Sequence, residues 1–316
     1  MENYQIFFSI FSAIILFLFG LSAFSAELKL AAGNKLEAIM TKLTSNRFIA
    51  FFVGLIFTVI IQSSTAISSL AVSMVNSGVL SFAGATAIML GSYVGTTATA
   101  WLVSFKLTNI GPIFIVLGSM ISALPVKAKV FGKGVFYFGF IFFSLDLVSS
   151  SITPLRESEL LTGLLLHTSN TLISIGVGVL LTIILQSSTV VTGLAIIFVQ
   201  QKLLVPADSI PIVLGANIGT TFTALFASIR MNTNARKAAV ANTLINIIGV
   251  ILLYPFLTLF TEWVLRIAPN DSMVVATAHL SFNVVLVSVF LIVLNPFVSF
   301  IEKIFSSSQS GLQSPG

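Results

Sequence analysis

The stretch GLIFTVIIQSSTAISSLAVSM, residues 54–74, returns without a gap as GVLLTIILQSSTVVTGLAIIF at residues 178–198. Gln62 thus matches Gln186 at an offset of 124. The same offset pairs Thr44, Ser45 and Asn46 with Thr168, Ser169 and Asn170 upstream, and the run GSYVGTTAT at 91–99 with GANIGTTFT at 215–223 downstream. Roughly 20 of about 50 positions from Gly54 to Ser104 are identical to their counterparts, beyond what shared hydrophobicity produces, so the chain carries two copies of one unit.

What surrounds the copies is membrane sequence. Of 316 residues, 56% are hydrophobic and 8% charged, against about 25% charged in an ordinary soluble domain. Apolar runs at 6–26, 110–126 and 273–300 approach or exceed the roughly 20 residues a spanning helix needs. The first is read as a helix rather than a secretory signal, because MENYQ has no basic residue and nothing after it resembles a cleavage site. With no cysteine there is no disulfide framework, thiol nucleophile or thiolate metal site. A net charge of +5 would suit a nucleic-acid partner in a soluble protein, but these basic residues sit in short connections between apolar runs and act as topology signals. No nucleic-acid partner is expected.

Each copy reads as a spanning helix, an amphipathic stretch, a broken apolar segment centred on QSST, a second broken segment centred on the GTT run, and a closing helix. The first copy occupies 1–130 and the second 131–268; an additional transmembrane helix follows at 269–304 and a polar tail at 305–316. Residues 48–61 make about 14 residues of helix, or about 21 Å, against a hydrocarbon core of roughly 30 Å. Such a half-helix either joins the half after QSST or turns back as a re-entrant hairpin. Charge placement favours the hairpin. With the N-terminus outside and the hairpins not crossing, Lys29, Lys35, Lys42, Arg47, Lys127, Lys129, Lys133, Arg230, Arg236, Lys237 and Lys303 fall on the cytoplasmic side. Only Lys106, Arg156, Lys202 and Arg266 lie outside. Each copy then crosses three times, and an odd number inverts the second copy. The expected fold is an all-α polytopic membrane protein of two inverted-topology repeats with re-entrant hairpins and broken helices, in the cell inner membrane, its C-terminus cytoplasmic.

Gln62, Ser63, Ser64 and Thr65, with Gln186, Ser187, Ser188 and Thr189, put amides and hydroxyls at membrane depth, where an unsatisfied polar group costs several kcal/mol. Inverted repeats with broken helices are the common plan of secondary transporters, whose unwound backbone lines a site near the midplane. Hydroxyl, amide and carbonyl oxygens suit a small hard cation such as sodium, and half-helix N-termini offer N–H groups to an anion. Sodium is expected at Ser64, Thr65, Gly91, Thr97, Ser188, Thr189, Gly215 and Thr221, and the anion at the QSST residues with Thr96, Asn217 and Thr220. Gly95 and Gly219 share the presumed departure from helical geometry. Small and hydroxyl residues in membrane helices also serve close packing and bonds to their own carbonyls, but a duplicated QSST at fixed distance from a duplicated G-x-x-x-G-T-T favours a site. The motifs contain no lysine or arginine, so co-bound sodium would offset the charge of the anion.

Asp146, whose counterpart is Ser22, has no symmetric partner for a role as cation or proton ligand. His279, Asn283 and Asn246 are read as hydrogen bonds between helices, and His167, near Glu157 and Glu159, as interfacial.

At these motifs the sequence resembles the type II sodium/phosphate cotransporter family, whose mark is a paired QSSS-type sequence in inverted repeats. The resemblance runs from about Phe17 to Phe300; both copies read QSST, which keeps the third hydroxyl. It implies sodium-coupled transport of inorganic phosphate by alternating access, Na+ as coupling ion, and outer helices serving as scaffold or homodimer surface. Some bacterial relatives carry a PhoU-like helical domain after the membrane part; this chain ends in SSSQSGLQSPG, so it is expected either to lack that domain or to have been cut before it. Two rival readings are a carrier of another anion, sulfate or carboxylate, and a non-transporting scaffold or regulator of phosphate sensing. An enzyme is excluded by the lack of paired carboxylates, a His-rich metal site or a nucleophile beside a base at membrane depth.

Overall fold

Asparagine caps and serine caps divide the chain into helices, and among the described residues every regular element is helical. A computed structural model describes residues 3–32, 46–105, 110–124, 129–154 and 170–310. In order these form α1 (Asn3–Ala32), α2 (Arg47–Ile61), α3 (Ser64–Asn76), α4 (Phe82–Ser104), α5 (Ile110–Ala123), α6 (Lys129–Ile152) and α7 (Thr171–Leu185). There follow α8 (Ser188–Gln200), α9 (Pro206–Ser228), α10 (Thr233–Leu253), α11 (Leu257–Ile267), α12 (Asp271–Ile292) and α13 (Leu294–Ser310). The bounds of α2, α3 and α4 recur in α7, α8 and α9, each shifted by 124 residues. Even the caps repeat: Asn46 Oδ1 accepts from the Phe48 amide at 2.8 Å, and Asn170 Oδ1 from the Leu172 amide at 3.0 Å.

Among the described residues five helices are long and apolar enough to cross a membrane: Tyr4–Ala31, Phe131–Ile152, Pro206–Ser228, Thr233–Ile267 and Asp271–Ile292. The chain is a multi-pass membrane protein, and Phe7, Phe11, Ile15 and Leu252, among the large apolar side chains on its outer surface, present that surface to lipid.

Contacts fix the path of the short helices. Gly91 meets the Phe51 carbonyl, Gly95 meets Thr58, and Thr99 bonds to Gln62, so α2 and α4 run parallel. Between them α3 must therefore run back, and α2 with α3 forms a hairpin that does not cross. Gly215 against Ile175 and Gly219 against Thr182 give α7 and α9 the same relation, so α7 and α8 form a second hairpin. The hairpins point in opposite senses. Asn76, at the base of the first, accepts from the Asn232 amide at 2.8 Å, and Asn232 Nδ2 donates back to the Asn76 carbonyl at 2.8 Å. Since α9 begins at the base of the second hairpin and ends just before Asn232, the two bases lie on opposite faces.

Basic residues divide unequally between these faces. Arg47, Arg230, Arg236, Lys237 and Lys303 belong to the face of the first hairpin's base. Lys29 and Lys133 join them, since α6 ends beside the base of the second hairpin, where Gln201 donates to Ser149, and begins on the opposite face, where Lys133 pairs with Glu27 of α1 at 3.5 Å. Lys202 and Arg266 lie on the other. Lys35, Lys42, Lys106, Lys127, Arg156, Glu157, Glu159 and His167, like Thr44, Ser45, Thr168 and Ser169, fall outside the described residues.

One expectation fails. The GTT runs do not interrupt their helices: α4 and α9 continue unbroken through 91–97 and 215–221. The glycines there serve close approach instead. A Cβ on Gly91 would stand 1.9 Å from the Phe51 carbonyl oxygen, and one on Gly215 2.0 Å from that of Ile175. Thr97 and Thr221 turn their hydroxyls to the Val94 and Ile218 carbonyls, both at 2.7 Å, which keeps their polarity inside the helix.

Candidate functional site

The breaks fall at QSST. Helix α2 ends at Ile61, Gln62 takes the left-handed conformation at φ 58°, and Ser63 is extended. In the second copy Gln186 stands at φ 52° and Ser187 is again extended. A left-handed residue followed by an extended one reverses the chain in two residues. Each serine then caps the returning helix: Ser63 Oγ accepts from the Ala66 amide at 3.2 Å, and Ser187 Oγ from the Val190 amide at 3.4 Å. The first turns of α3 and α8 thus open toward the hairpin tips with most of their N–H groups uncommitted and the positive end of the helix dipole behind them.

The residues expected at the site are mostly buried. Ser64 and Ser188 lie in the interior, as do Thr96, Thr97, Asn217, Thr220 and Thr221, while Thr65 and Thr189 are half-buried. Helix α3 packs on α9 and α8 on α4, so the returning arm of each hairpin lies against the long helix that follows the hairpin of the other copy. The two tips differ in their ties. Gln62 Nε2 donates to the Val59 carbonyl at 2.5 Å, and the Thr99 hydroxyl donates to Gln62 Oε1, holding the first tip on α4. Gln186 is exposed.

Gly91 and Gly215 lie inside unbroken helix, where their carbonyls are committed to the helix ladder. Each packs directly against the backbone of the neighbouring short helix. Thr58 and Thr182, equivalent at the offset of 124, are buried with no hydrogen-bond partner for their hydroxyls. Sequence reasoning missed both, although each lies four residues before its motif glutamine. Such hydroxyls are the hard oxygen donors that sodium takes. Among the described residues no group of three His, Asp or Glu side chains is placed to hold a metal.

Of the polar residues read as ties between helices, His279 behaves so, while Asn283 and Asn246 bond back to carbonyls of their own helices. His279 Nε2 lies 3.0 Å from Asn217 Oδ1, joining α12 to α9, and Asn283 Nδ2 donates to the His279 carbonyl at 2.8 Å. Asn246 Nδ2 donates to the Asn242 carbonyl at 3.1 Å. Tyr93, which the sequence did not single out, donates its hydroxyl to Asn242 Oδ1 at 2.6 Å and joins α4 to α10. Its signal was available, since it stands at the position equivalent to Asn217. Asp146 is half-buried on α6.

Comparison with known proteins agrees with this architecture. The Na+/Pi-cotransporter family model matches the chain twice, over residues 16–150 and 145–303. YqeW of Bacillus subtilis, a protein of uncharacterised function, is 31% identical over 296 residues, covering 92% of this chain and 96% of YqeW. The Escherichia coli protein YjbB, provisionally named an inorganic phosphate export protein, is 24% identical over 296 residues; the match covers 93% of this chain and 54% of YjbB, so the chain spans about half of that relative's length. Sodium-dependent phosphate transport protein 2A of Ovis aries is 36% identical over 95 residues, 29% of this chain and 15% of that protein. No solved structure matches the chain. Two family matches, one over each half and together spanning most of the sequence, place this chain in the Na+/Pi-cotransporter family, and it is a transporter rather than an enzyme.

Proposed function

We propose that the protein carries inorganic phosphate across the cell inner membrane together with sodium, by alternating access. The observation that carries this reading is the duplicated break: a left-handed glutamine and a capping serine, twice, at the tips of two oppositely directed hairpins. Phosphate binds at Gln62, Ser63, Ser64 and Thr65 and at Gln186, Ser187, Ser188 and Thr189, with Thr96, Asn217 and Thr220 beside them. Sodium binds among the oxygens of Ser64, Thr65, Thr97, Ser188, Thr189 and Thr221, joined by Thr58 and Thr182. The units 1–130 and 131–268 move against each other, with 269–304 as a further helix. The face rich in Arg47, Arg230 and Arg236 is cytoplasmic by the positive-inside preference, which puts the N-terminus outside and the C-terminus inside.

No lysine or arginine occurs in the two motifs, so anion charge there is balanced by N–H dipoles and bound cations. That is the physical reason for coupling. The test is radioactive phosphate uptake into proteoliposomes under an inward sodium gradient, compared with an equal potassium gradient. Uptake several-fold faster with sodium is expected. Flux indifferent to the cation would refute coupling, and phosphate binding without flux would favour a non-transporting sensor.

A further inference from the structure

Position 93 of the first copy and position 217 of the second are equivalent, yet they are filled in opposite ways. Tyr93 occupies its place with a ring and bonds its hydroxyl to Asn242. Asn217 leaves its amide nitrogen without a partner, though the residue is 8% exposed. It faces His279 on α12, a helix belonging to neither copy; His279 is 1% exposed, and its Nδ1 has no partner either. One turn along α9, Thr220 Oγ1 is a third buried atom without one. Orphaned polar atoms at this depth are costly, and here two of them stand three residues apart on α9, with the third on α12 packed against it.

Their chemistry is mixed in a way that selects a ligand. Asn217 Oδ1 can only accept, so His279 Nε2 carries the proton and donates to it. In the neutral ring Nδ1 is then a bare acceptor. Asn217 Nδ2 offers donors and the Thr220 hydroxyl offers one more. A ligand that satisfies the set presents anionic oxygens to the amide and hydroxyl, and a hydroxyl proton to the imidazole. Hydrogen phosphate carries both. Sulfate at neutral pH carries only acceptors and would set an oxygen lone pair against the lone pair of Nδ1.

We infer that His279, held by Asn217, is the specificity-determining residue that accepts a hydrogen bond from the hydroxyl of a protonated tetrahedral oxyanion and so excludes sulfate. The inference rests on the phosphate reading of the site. It assigns the imidazole a task beyond tying helices together, and it involves no proton transfer.

The experiment measures competition against phosphate in wild-type proteoliposomes, with direct binding to detergent-solubilised protein in parallel. Arsenate, which keeps a hydroxyl, should compete; sulfate and monofluorophosphate, a phosphate analogue with no hydroxyl, should not. His279→Phe removes the acceptor while keeping a ring and should lower discrimination against sulfate by about tenfold or more; His279→Gln restores an acceptor and should recover it. Monofluorophosphate competing like phosphate in the wild type would overturn the inference without any variant having to fold. So would His279→Phe discriminating like the wild type. If the wild type binds phosphate but moves none, the transport reading fails, and the same ligand series read by binding still decides the role of His279.

Discussion

A glutamine held at φ 58° gives up backbone stability, since a side chain in the left-handed region costs roughly 1–2 kcal/mol relative to glycine. That both copies keep glutamine there asks what the side chain returns. At Gln62 the return is visible: Thr99 is tied to the tip. Gln62→Gly should therefore leave the melting temperature in detergent unchanged or raise it while phosphate flux falls about tenfold. A fall in stability with flux preserved would make the glutamine purely structural. The serines answer to a different term. Ser63→Ala or Ser187→Ala removes the cap and should cost about 1 kcal/mol of helix stability together with transport. Ser12→Ala, on the outer surface of α1, should change neither in the same melting and uptake assays. QSST was legible as a break because four polar residues interrupt an apolar run. The left-handed turn was not legible, because no glycine marks it, and the inequality of the tips depends on which partner each glutamine finds in three dimensions.

Helices α2 with α4, and α7 with α9, are held at backbone contact by glycine. A Cβ on Gly54 would fall 1.9 Å from the Ile88 carbonyl oxygen, and one on Gly178 2.0 Å from that of Ile212. No rotamer relieves a clash with a main chain, so Gly54→Ala must push the hairpin off the long helix that follows it. A loss of about 1–3 kcal/mol or more is expected, read as a lower melting temperature. Gly176→Ala in α7, whose added Cβ meets nothing within 4 Å, should be neutral or stabilising in the same measurement. Equal effects at the two positions would contradict the packing. This is also where the sequence misleads. Glycine followed by paired threonines suits both an unwound site and a close-packed helix, and the pattern alone does not say whether a neighbouring backbone comes within 3 Å. The contact supplies that, and it gives Gly91 and Gly215 the role of spacers between helices.

At the scale of the whole molecule, the offset of 124 and the charge distribution made the two hairpins and their opposite senses readable from sequence alone, because both are properties of order along the chain. The part played by α12 was not readable. It has no counterpart in the repeat, and the face it turns to α9 is set only when the copies pack together. Opposite insertion of the hairpins has a direct consequence for access from the two sides of the bilayer. The chain has no cysteine, so one introduced thiol is the only target for a membrane-impermeant maleimide. Ser77→Cys lies at the exposed base of the first hairpin, and Val205→Cys, at a position 60% exposed, at the base of the second. In right-side-out vesicles Val205→Cys should label without permeabilisation, and Ser77→Cys only after it. In inverted vesicles the order should reverse. Labelling of both from one side would place the hairpin bases on the same face, and the copies would then enclose a site with no mirror partner across the membrane, leaving alternating access without its two gates.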